Sequence, residues 1–218
     1  MRRIGLLGGS FNPAHRAHRR ISIAAMKLLD LDEVWWLVSP GNPLKTEAGM
    51  APYAARLHSA RQAARHPSIR ISDFEATAQT RYTVDTVSKL RRAYPACRFI
   101  WLMGADILPQ FHRWRDWRKF AHLVPIAVFP RPGYDRGAQA ARAMGWLRRL
   151  VRPASQAKQW TQWSAPAILL LRLPPDPTSA TAIRALDPNW HQEPDPSGNG
   201  TDRAHVPSSI RRPLARPD

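Results

Sequence analysis

The feature that most constrains this chain is an alternation, in which short apolar runs take turns with segments of helical spacing. Arg3–Leu7, Glu33–Ser39, Ile69–Asp73, Arg98–Met103, Ile126–Phe129 and Ala167–Leu173 are rich in β-branched or aromatic residues, which predicts six strands. Between them, His18–Leu29, Pro52–Arg65, Thr83–Tyr94 and Gln139–Val151 carry helical spacing, and Ile21, Ala24, Leu28 and Leu31 are expected to share one face. Near-continuous apolar strands need cover on both faces, and alternation with helices supplies it through parallel pairing. The expected fold is therefore α/β, a doubly wound parallel sheet in three layers, α/β/α. Such sheets bind ligands outside the carboxyl ends of the strands, where the strand order reverses. Chemistry is expected in the loops after the first, second and fourth strands.

A chain of 218 residues is long enough for one such domain with a core that needs no staples. Cys97 is its single cysteine, which excludes an internal disulfide and a cysteine-built zinc cage and suits a reducing compartment. The apolar run Ile4–Leu7 is too short for a signal peptide, and no stretch approaches the ~20 apolar residues of a membrane span, so a cytoplasmic protein without membrane contact is expected. Lys and Arg total 33 against 16 Asp and Glu, a net charge of +17. From Arg131 to Arg172 there are eight basic residues and one acid, Asp135. Such a field attracts phosphorylated substrates, nucleic acids and acidic membranes alike, so charge alone does not establish a nucleic-acid partner. The stretch Asp187–Asp218 holds six prolines and two glycines and too few apolar residues for a helical face. It reads as a poorly ordered tail on a domain of residues 1–186.

The first strand runs into Gly8-Gly9, and a helix begins within the next ten residues. Glycines let backbone approach a phosphate and expose N–H groups to it, and the helix adds its positive end. His15 and His18, three apart, share one face of the first helical turn and can converge on one anion. The segment lacks the Gly-Lys-Ser/Thr ending of a P-loop and the third glycine of a dinucleotide fingerprint. Two further readings stay open for the histidine pair, a metal site short of a third ligand and simple capping of the helix. No metal is expected to be held by the protein itself.

The string Gly8-Gly9-Ser10-Phe11-Asn12-Pro13-Ala14-His15-Arg16-Ala17-His18 resembles the G-G-[ST]-F-[DN]-P-x-H-x-G-H signature of the bacterial nicotinate-mononucleotide adenylyltransferases. It also resembles the wider H-x-G-H nucleotidyltransferase superfamily. Two positions depart from the commoner pattern, with Ala17 in place of glycine and Asn12 in place of aspartate. Four further segments match in the expected order, so the resemblance covers roughly Arg3 to Leu186. Pro40-Gly41-Asn42-Pro43-Leu44-Lys45 is similar to the family's P-x-x-P-[PHL]-[KR] loop, which implies that Lys45 reaches a substrate phosphate. Arg81-Tyr82-Thr83-Val84-Asp85-Thr86 is similar to [ST]-Y-T-x-[DE]-T, which implies that Thr83 helps hold the nicotinate carboxylate. Threonine at a helix start is also an ordinary N-cap, and the two roles can coexist.

Gly104-Ala105-Asp106 follows the fourth strand, and the resemblance assigns Asp106 to ribose hydroxyls. In Phe111-His112-Arg113-Trp114-Arg115-Asp116-Trp117, Trp114 matches the tryptophan that stacks on the pyridine ring, and the backbone at Arg115 is the other carboxylate donor. Trp117 is expected in the core. Thr178-Ser179-Ala180-Thr181-Ala182-Ile183-Arg184 is similar to I-S-[AS]-T-x-I-R, which places Ser179 and Thr181 at the triphosphate and Arg184 at the departing phosphates.

The resemblance implies a Rossmann-like sheet and transfer of AMP from ATP to nicotinate mononucleotide, giving deamido-NAD and pyrophosphate, with Mg2+ accompanying ATP. Gly8, Gly9, Ser10, Phe11, His15, His18, Asp106, Ser179, Thr181 and Arg184 would bind ATP, and Lys45, Thr83, Asp106, Trp114 and Arg115 the acceptor. His15, His18, Lys45 and Arg184 would supply positive donors around the reacting phosphates. Three rival readings are a sibling enzyme using pantetheine phosphate, a nicotinamide-preferring relative, and a basic nucleic-acid-binding protein on this fold. Oligomeric state has no signature in the sequence.

Overall fold

The computed structural model describes residues 1–41, 49–132, 137, 140–174 and 176–192. Strands β1 (Arg2–Gly9), β2 (Glu33–Val38), β3 (Ile69–Ser72), β4 (Cys97–Gly104), β5 (Ile126–Phe129), β6 (Val151–Arg152) and β7 (Ile168–Leu170) form one sheet in the order β3-β2-β1-β4-β5-β7-β6. Every neighbouring pair is parallel. The chain moves outward from β1 to β3, then returns to the far side of β1 for β4, so the order reverses between β1 and β4. All six expected strands are present. The seventh, β6, is two exposed residues at the sheet edge, too short to leave a period in the sequence.

Helices α1 (Arg16–Leu29), α2 (Tyr53–Ala64), α3 (Phe74–Thr77), α4 (Thr83–Ala93), α5 (Leu108–Phe111), α6 (Trp117–Leu123), α7 (Met144–Leu147) and α8 (Ala180–Leu186) connect the strands. Period-two alternation divides the strand side chains between two cores. Ile4, Leu6, Trp35, Leu37, Phe99 and Trp101 face Val84 and Val87 of α4 and Phe120 of α6. Leu7, Val34, Trp36, Val38, Ile100 and Leu102 face Ala25 and Leu29 of α1 and Ala60 of α2. The result is the three-layer α/β/α arrangement. Two buried indoles find acceptors across these layers, Trp36 Nε1 donating to Ser22 Oγ at 2.8 Å and Trp160 Nε1 to the Leu29 carbonyl at 2.8 Å.

Ile21, Ala24, Leu28 and Leu31 pack against one core as expected, while the fully buried stripe of α1 is Ala17, Ser22, Ala25 and Leu29. The stripe is centred on a serine because Ser22 Oγ accepts a hydrogen bond from the Trp36 indole N–H, and apolar spacing alone could not reveal that pairing. One sequence expectation is corrected: among the described residues of the range Gln139–Val151, the α-helical part is Met144–Leu147, followed by a 3₁₀ turn at Arg148–Leu150. Residues 133–136 and 138–139, and most of the expected tail, from 193 onward, lie outside the described residues.

Candidate active site

The crevice opens at the carboxyl ends of β1 and β4, the point of strand reversal. Gly8 is forced there by close packing, since a Cβ would lie 2.4 Å from Cη2 of Trp101 on β4. The backbone then takes a left-handed step at Phe11, with φ of 47°. That conformation is costly for an aromatic residue and is held by burial, because the ring stacks on Trp36 at 5.1 Å and is 2% exposed. Phe11, expected to bind ATP, spends its side chain on the floor beneath the loop, so its backbone is what remains for a ligand. Gly9 passes close above this ring, where a Cβ would sit 3.4 Å from it.

His15 is the N-cap of α1 and His18 lies in its first turn, with ring centroids 3.9 Å apart. The backbone N–H of His15 donates to Nδ1 of His18 at 3.1 Å. An accepting Nδ1 carries no proton, so neutral His18 keeps its proton on Nε2, where it can be donated. The cap thus also sets the tautomer. His15 is buried, and desolvation, aided by the Arg131 charge and opposed by Asp176, lowers its pKa to about 4. His15 is thus neutral at neutral pH, where a positive donor was expected. Ala17 is 2% exposed, so its methyl is packed into the protein.

Two clamps hold the loop. The Asn12 amide donates through Nδ2 to the Gly49 carbonyl at 2.8 Å, and its Oδ1 accepts from the Ala51 N–H at 3.1 Å. Aspartate has no donor for the first of these bonds, which gives this chain a reason for its asparagine. The second clamp is Arg56, 1% exposed, which sequence reasoning missed. Its guanidinium donates to four carbonyls, those of Ala51 (3.0 Å), Ser10 (2.8 Å), Ser39 (2.6 Å) and Pro40 (2.9 Å). The loops after β1 and β2 are thereby fastened to one buried cation. An arginine inside an amphipathic helix ordinarily reads as solvated, which is why it carried no signal.

The opposite wall comes from late in the chain. Ser179 caps α8, its hydroxyl accepting from the Ala182 N–H at 3.1 Å, so the side chain expected at the triphosphate is occupied by the helix in the free protein. Arg184 reaches back across the crevice to the Asn12 carbonyl at 2.5 Å and to Thr181 Oγ1 at 3.4 Å. Arg131, directly after β5, stands 3.5 Å from the Asp106 carboxylate and donates to the Thr178 carbonyl at 3.3 Å. Asp176 pairs with Arg16 and Arg20, both at 3.6 Å, and Arg16 also donates to Thr178 Oγ1 at 2.7 Å. Arg131, Arg16 and Arg20 were missed. The available signal was position, since each adjoins the carboxyl edge of the sheet.

The expected acceptor side lies on the loops after β4 and before α4. Tyr82 is the N-cap of α4 and Thr83 its first helical residue, so the capping role considered for Thr83 is not the one observed. The Arg115 guanidinium lies 4.5 Å above the Tyr82 ring, joining the Trp114 loop to the start of α4. Trp114 is half-buried, seated edge-on against Trp101 (6.1 Å), Phe111 (5.3 Å) and Phe120 (5.7 Å). Trp117, expected in the core, is also half-buried and packs on Phe111 from outside. Lys45 lies outside the described residues.

A histidine-bearing loop, an arginine-lined crevice and a strand reversal together define a nucleotidyltransferase-type site, and the model of the cytidylyltransferase-like family matches residues 6–186. Within that class the chain belongs to the nicotinate-nucleotide adenylyltransferase family. It is 57% identical over 188 residues to a protein of Erythrobacter litoralis named "Probable nicotinate-nucleotide adenylyltransferase", covering 86% of each chain. A Parvibaculum lavamentivorans protein of the same name is 49% identical over 182 residues, 84% of this chain and 90% of that one. Among solved structures, Plasmodium falciparum nicotinic acid mononucleotide adenylyltransferase complexed with NaAD superposes with a TM-score of 0.63. At 15% identity, covering 85% of this chain and 83% of that one, it supports the fold.

Proposed function

We propose that this protein transfers the adenylyl group of ATP to nicotinate mononucleotide, giving deamido-NAD and pyrophosphate in NAD biosynthesis. Beside the family relationship, the observation that carries this reading is the Arg115–Tyr82 contact. It ties Thr83 and Trp114, a hydroxyl and an indole suited to a pyridine carboxylate, into one wall at the sheet edge that carries the histidine loop.

In the proposed reaction a 5′-phosphate oxygen of the mononucleotide bonds to the α-phosphorus of ATP. The α–β bridging P–O bond breaks, and its electron pair leaves with pyrophosphate. Both reactants are anions, so the protein's work is positioning and charge neutralisation. His18 donates from Nε2 and His15 from a neutral ring, while the backbone at Gly8, Gly9, Ser10 and Phe11 cradles phosphate. Arg184, with Thr181 and the α8 terminus at Ser179, holds the departing phosphates. Releasing the Asn12 carbonyl would free Arg184 for that task. Asp106 accepts from ribose hydroxyls, Trp114 stacks on the pyridinium, and Thr83 and the Arg115 N–H receive the carboxylate. Lys45 is assigned to the acceptor phosphate. Mg2+, when bound, offsets charge on the leaving pyrophosphate. No group of three His, Cys, Asp or Glu side chains among the described residues could cage it, so the triphosphate would be its main ligand. No described helix is long and apolar enough to cross a membrane, and a cytoplasmic setting, where ATP is supplied, is part of the proposal.

Pyrophosphate release is measured with ATP and, in turn, nicotinate mononucleotide, nicotinamide mononucleotide and pantetheine phosphate. The reading requires kcat/KM to be highest with the nicotinate acceptor. Equal or better turnover with either other acceptor would overturn it.

A further inference from the structure

Outside the crevice, between the start of α6 and α7, lies a cavity of about 590 Å3, within the ~300–1,000 Å3 range of small-molecule sites. Its wall carries the guanidinium groups of Arg118, Arg142 and Arg149, the His112 imidazole, and the indoles of Trp117 and Trp146. None of the residues assigned to the crevice lines it. No described ion pair engages any of these three arginines, and no carboxylate is among the described lining residues. His112 Nδ1 is buried without a hydrogen-bond partner. Three exposed guanidinium groups on one wall, with no described carboxylate among them, make a positive surface that favours an anion.

The aromatic groups narrow the class of anion. Trp117 and Trp146 meet at 5.4 Å with planes at 90°, and the Arg118 guanidinium lies 5.1 Å from the first ring and 6.0 Å from the second. An inorganic anion would use the arginines and leave the indoles idle. A nucleobase stacks on an indole while its phosphates take the guanidinium forks, and that combination uses the whole wall. We infer that this cavity is a second nucleotide site, taking a free nucleoside di- or triphosphate beside the proposed active site. A strand of nucleic acid offers the same base-and-phosphate chemistry, but a cavity of this volume suits a single nucleotide. The ligand would sit close to the acceptor wall, since Phe111 touches both Trp117 (5.6 Å) and Trp114 (5.3 Å).

Gly145 offers a clean way to close the site, because a Cβ added there meets nothing within 4 Å. Equilibrium dialysis of the full chain against labelled ADP should show that Gly145→Leu binds one molar equivalent less than the parent at saturation. The R142Q/R149Q variant should weaken the same equivalent by ~10–100-fold, the scale of lost charge-assisted hydrogen bonds. Both variants should keep the parent's circular dichroism. The readout is the equivalent lost between parent and variant, so it holds whether or not the crevice binds ADP. Equal stoichiometry in parent and Gly145→Leu would overturn the inference. So would a single-stranded oligonucleotide that binds the parent, fails with Gly145→Leu, and leaves ADP stoichiometry the same in both.

Discussion

Arg56 lends itself to a test in which structure and catalysis can be separated. Replacing it with methionine keeps most of the aliphatic volume but removes donors to the carbonyls of Ala51, Ser10, Ser39 and Pro40. At ~1.5–3 kcal/mol for each bond from a charged donor, four bonds would total roughly 6–12 kcal/mol if they added independently. They do not, because the same guanidinium is desolvated, which already lowers its pKa, and removing it recovers that cost. The expected loss is therefore ~3–5 kcal/mol, the usual range for breaking one buried polar hub. A shift of that size should appear in the urea midpoint at constant m-value. Conditions that keep the variant folded should also reveal weaker catalysis, since Arg56 fixes two loops that flank the crevice and ~1 Å of misplacement can cost ~10²-fold. Arg56→Lys, with a compact point charge instead of a fork, should recover part of the stability and less of kcat/KM. Arg56→Met within ~1 kcal/mol of the parent and with unchanged kcat/KM would refute the clamp.

Other outcomes follow from the same geometry. His18→Ala should lower turnover ~10²–10³-fold in the pyrophosphate-release assay, the usual cost of one transition-state donor, and near-normal turnover would remove it from the chemistry. His15, lowered to about 4 by burial, leaves the folded state short of a proton that the unfolded chain takes up below about 6.5. Its contribution falls as pH drops through that window, by at most ~2 kcal/mol at pH 5 and less for a ring at the crevice rim, so parent and His15→Gln denaturation curves should diverge there. Glu75 has the opposite sign. Burial raises its pKa to about 7 against hydrogen bonds from Ser39 and Thr86, so its stability is present below about 4.5 and lost as pH rises through 7. Glu75→Gln should flatten the parent's loss of stability between pH 5 and 8, and identical pH profiles would count against it. Ala17→Gly should cost up to ~1 kcal/mol of stability by helix propensity and leave the KM for ATP unchanged, because the methyl is already buried in the free protein; a lower KM would show that it obstructs ATP.

The sheet was legible because its strands are buried on both faces, and continuous apolar runs such as Val34-Trp35-Trp36-Leu37-Val38 have few other uses. Position at the carboxyl edge of the sheet singled out the loops after the first, second and fourth strands, those of Gly8, Lys45 and Asp106, whereas Thr83 was reached through the family resemblance alone. Sequence could not reveal pairings between side chains of ordinary appearance. Ser22 in the middle of the α1 stripe, Arg56 beneath two loops, and Arg131 between Asp106 and Thr178 each gain their role from a partner 14 or more residues away. Charge was misleading in one further respect, because a histidine in a cationic chain at a phosphate site reads as positive. Burial and the neighbouring Arg131 make His15 neutral instead, and neither cause is local in sequence.

The histidine pair gains from that neutrality. Two imidazolium rings with centroids 3.9 Å apart would repel each other and draw in solvent anions, blurring the distinction between an empty and a loaded site. A neutral His15 avoids that repulsion, and its backbone N–H, by donating to Nδ1, fixes the tautomer of a neutral His18. Positive charge is supplied by arginines, which do not titrate and which the free structure holds on internal acceptors, Arg184 on Asn12 and Arg131 beside Asp106. In the proposed reaction an arriving polyphosphate would compete with these internal partners for fixed cations, so selectivity would rest on geometry and not on the protonation state of the loop.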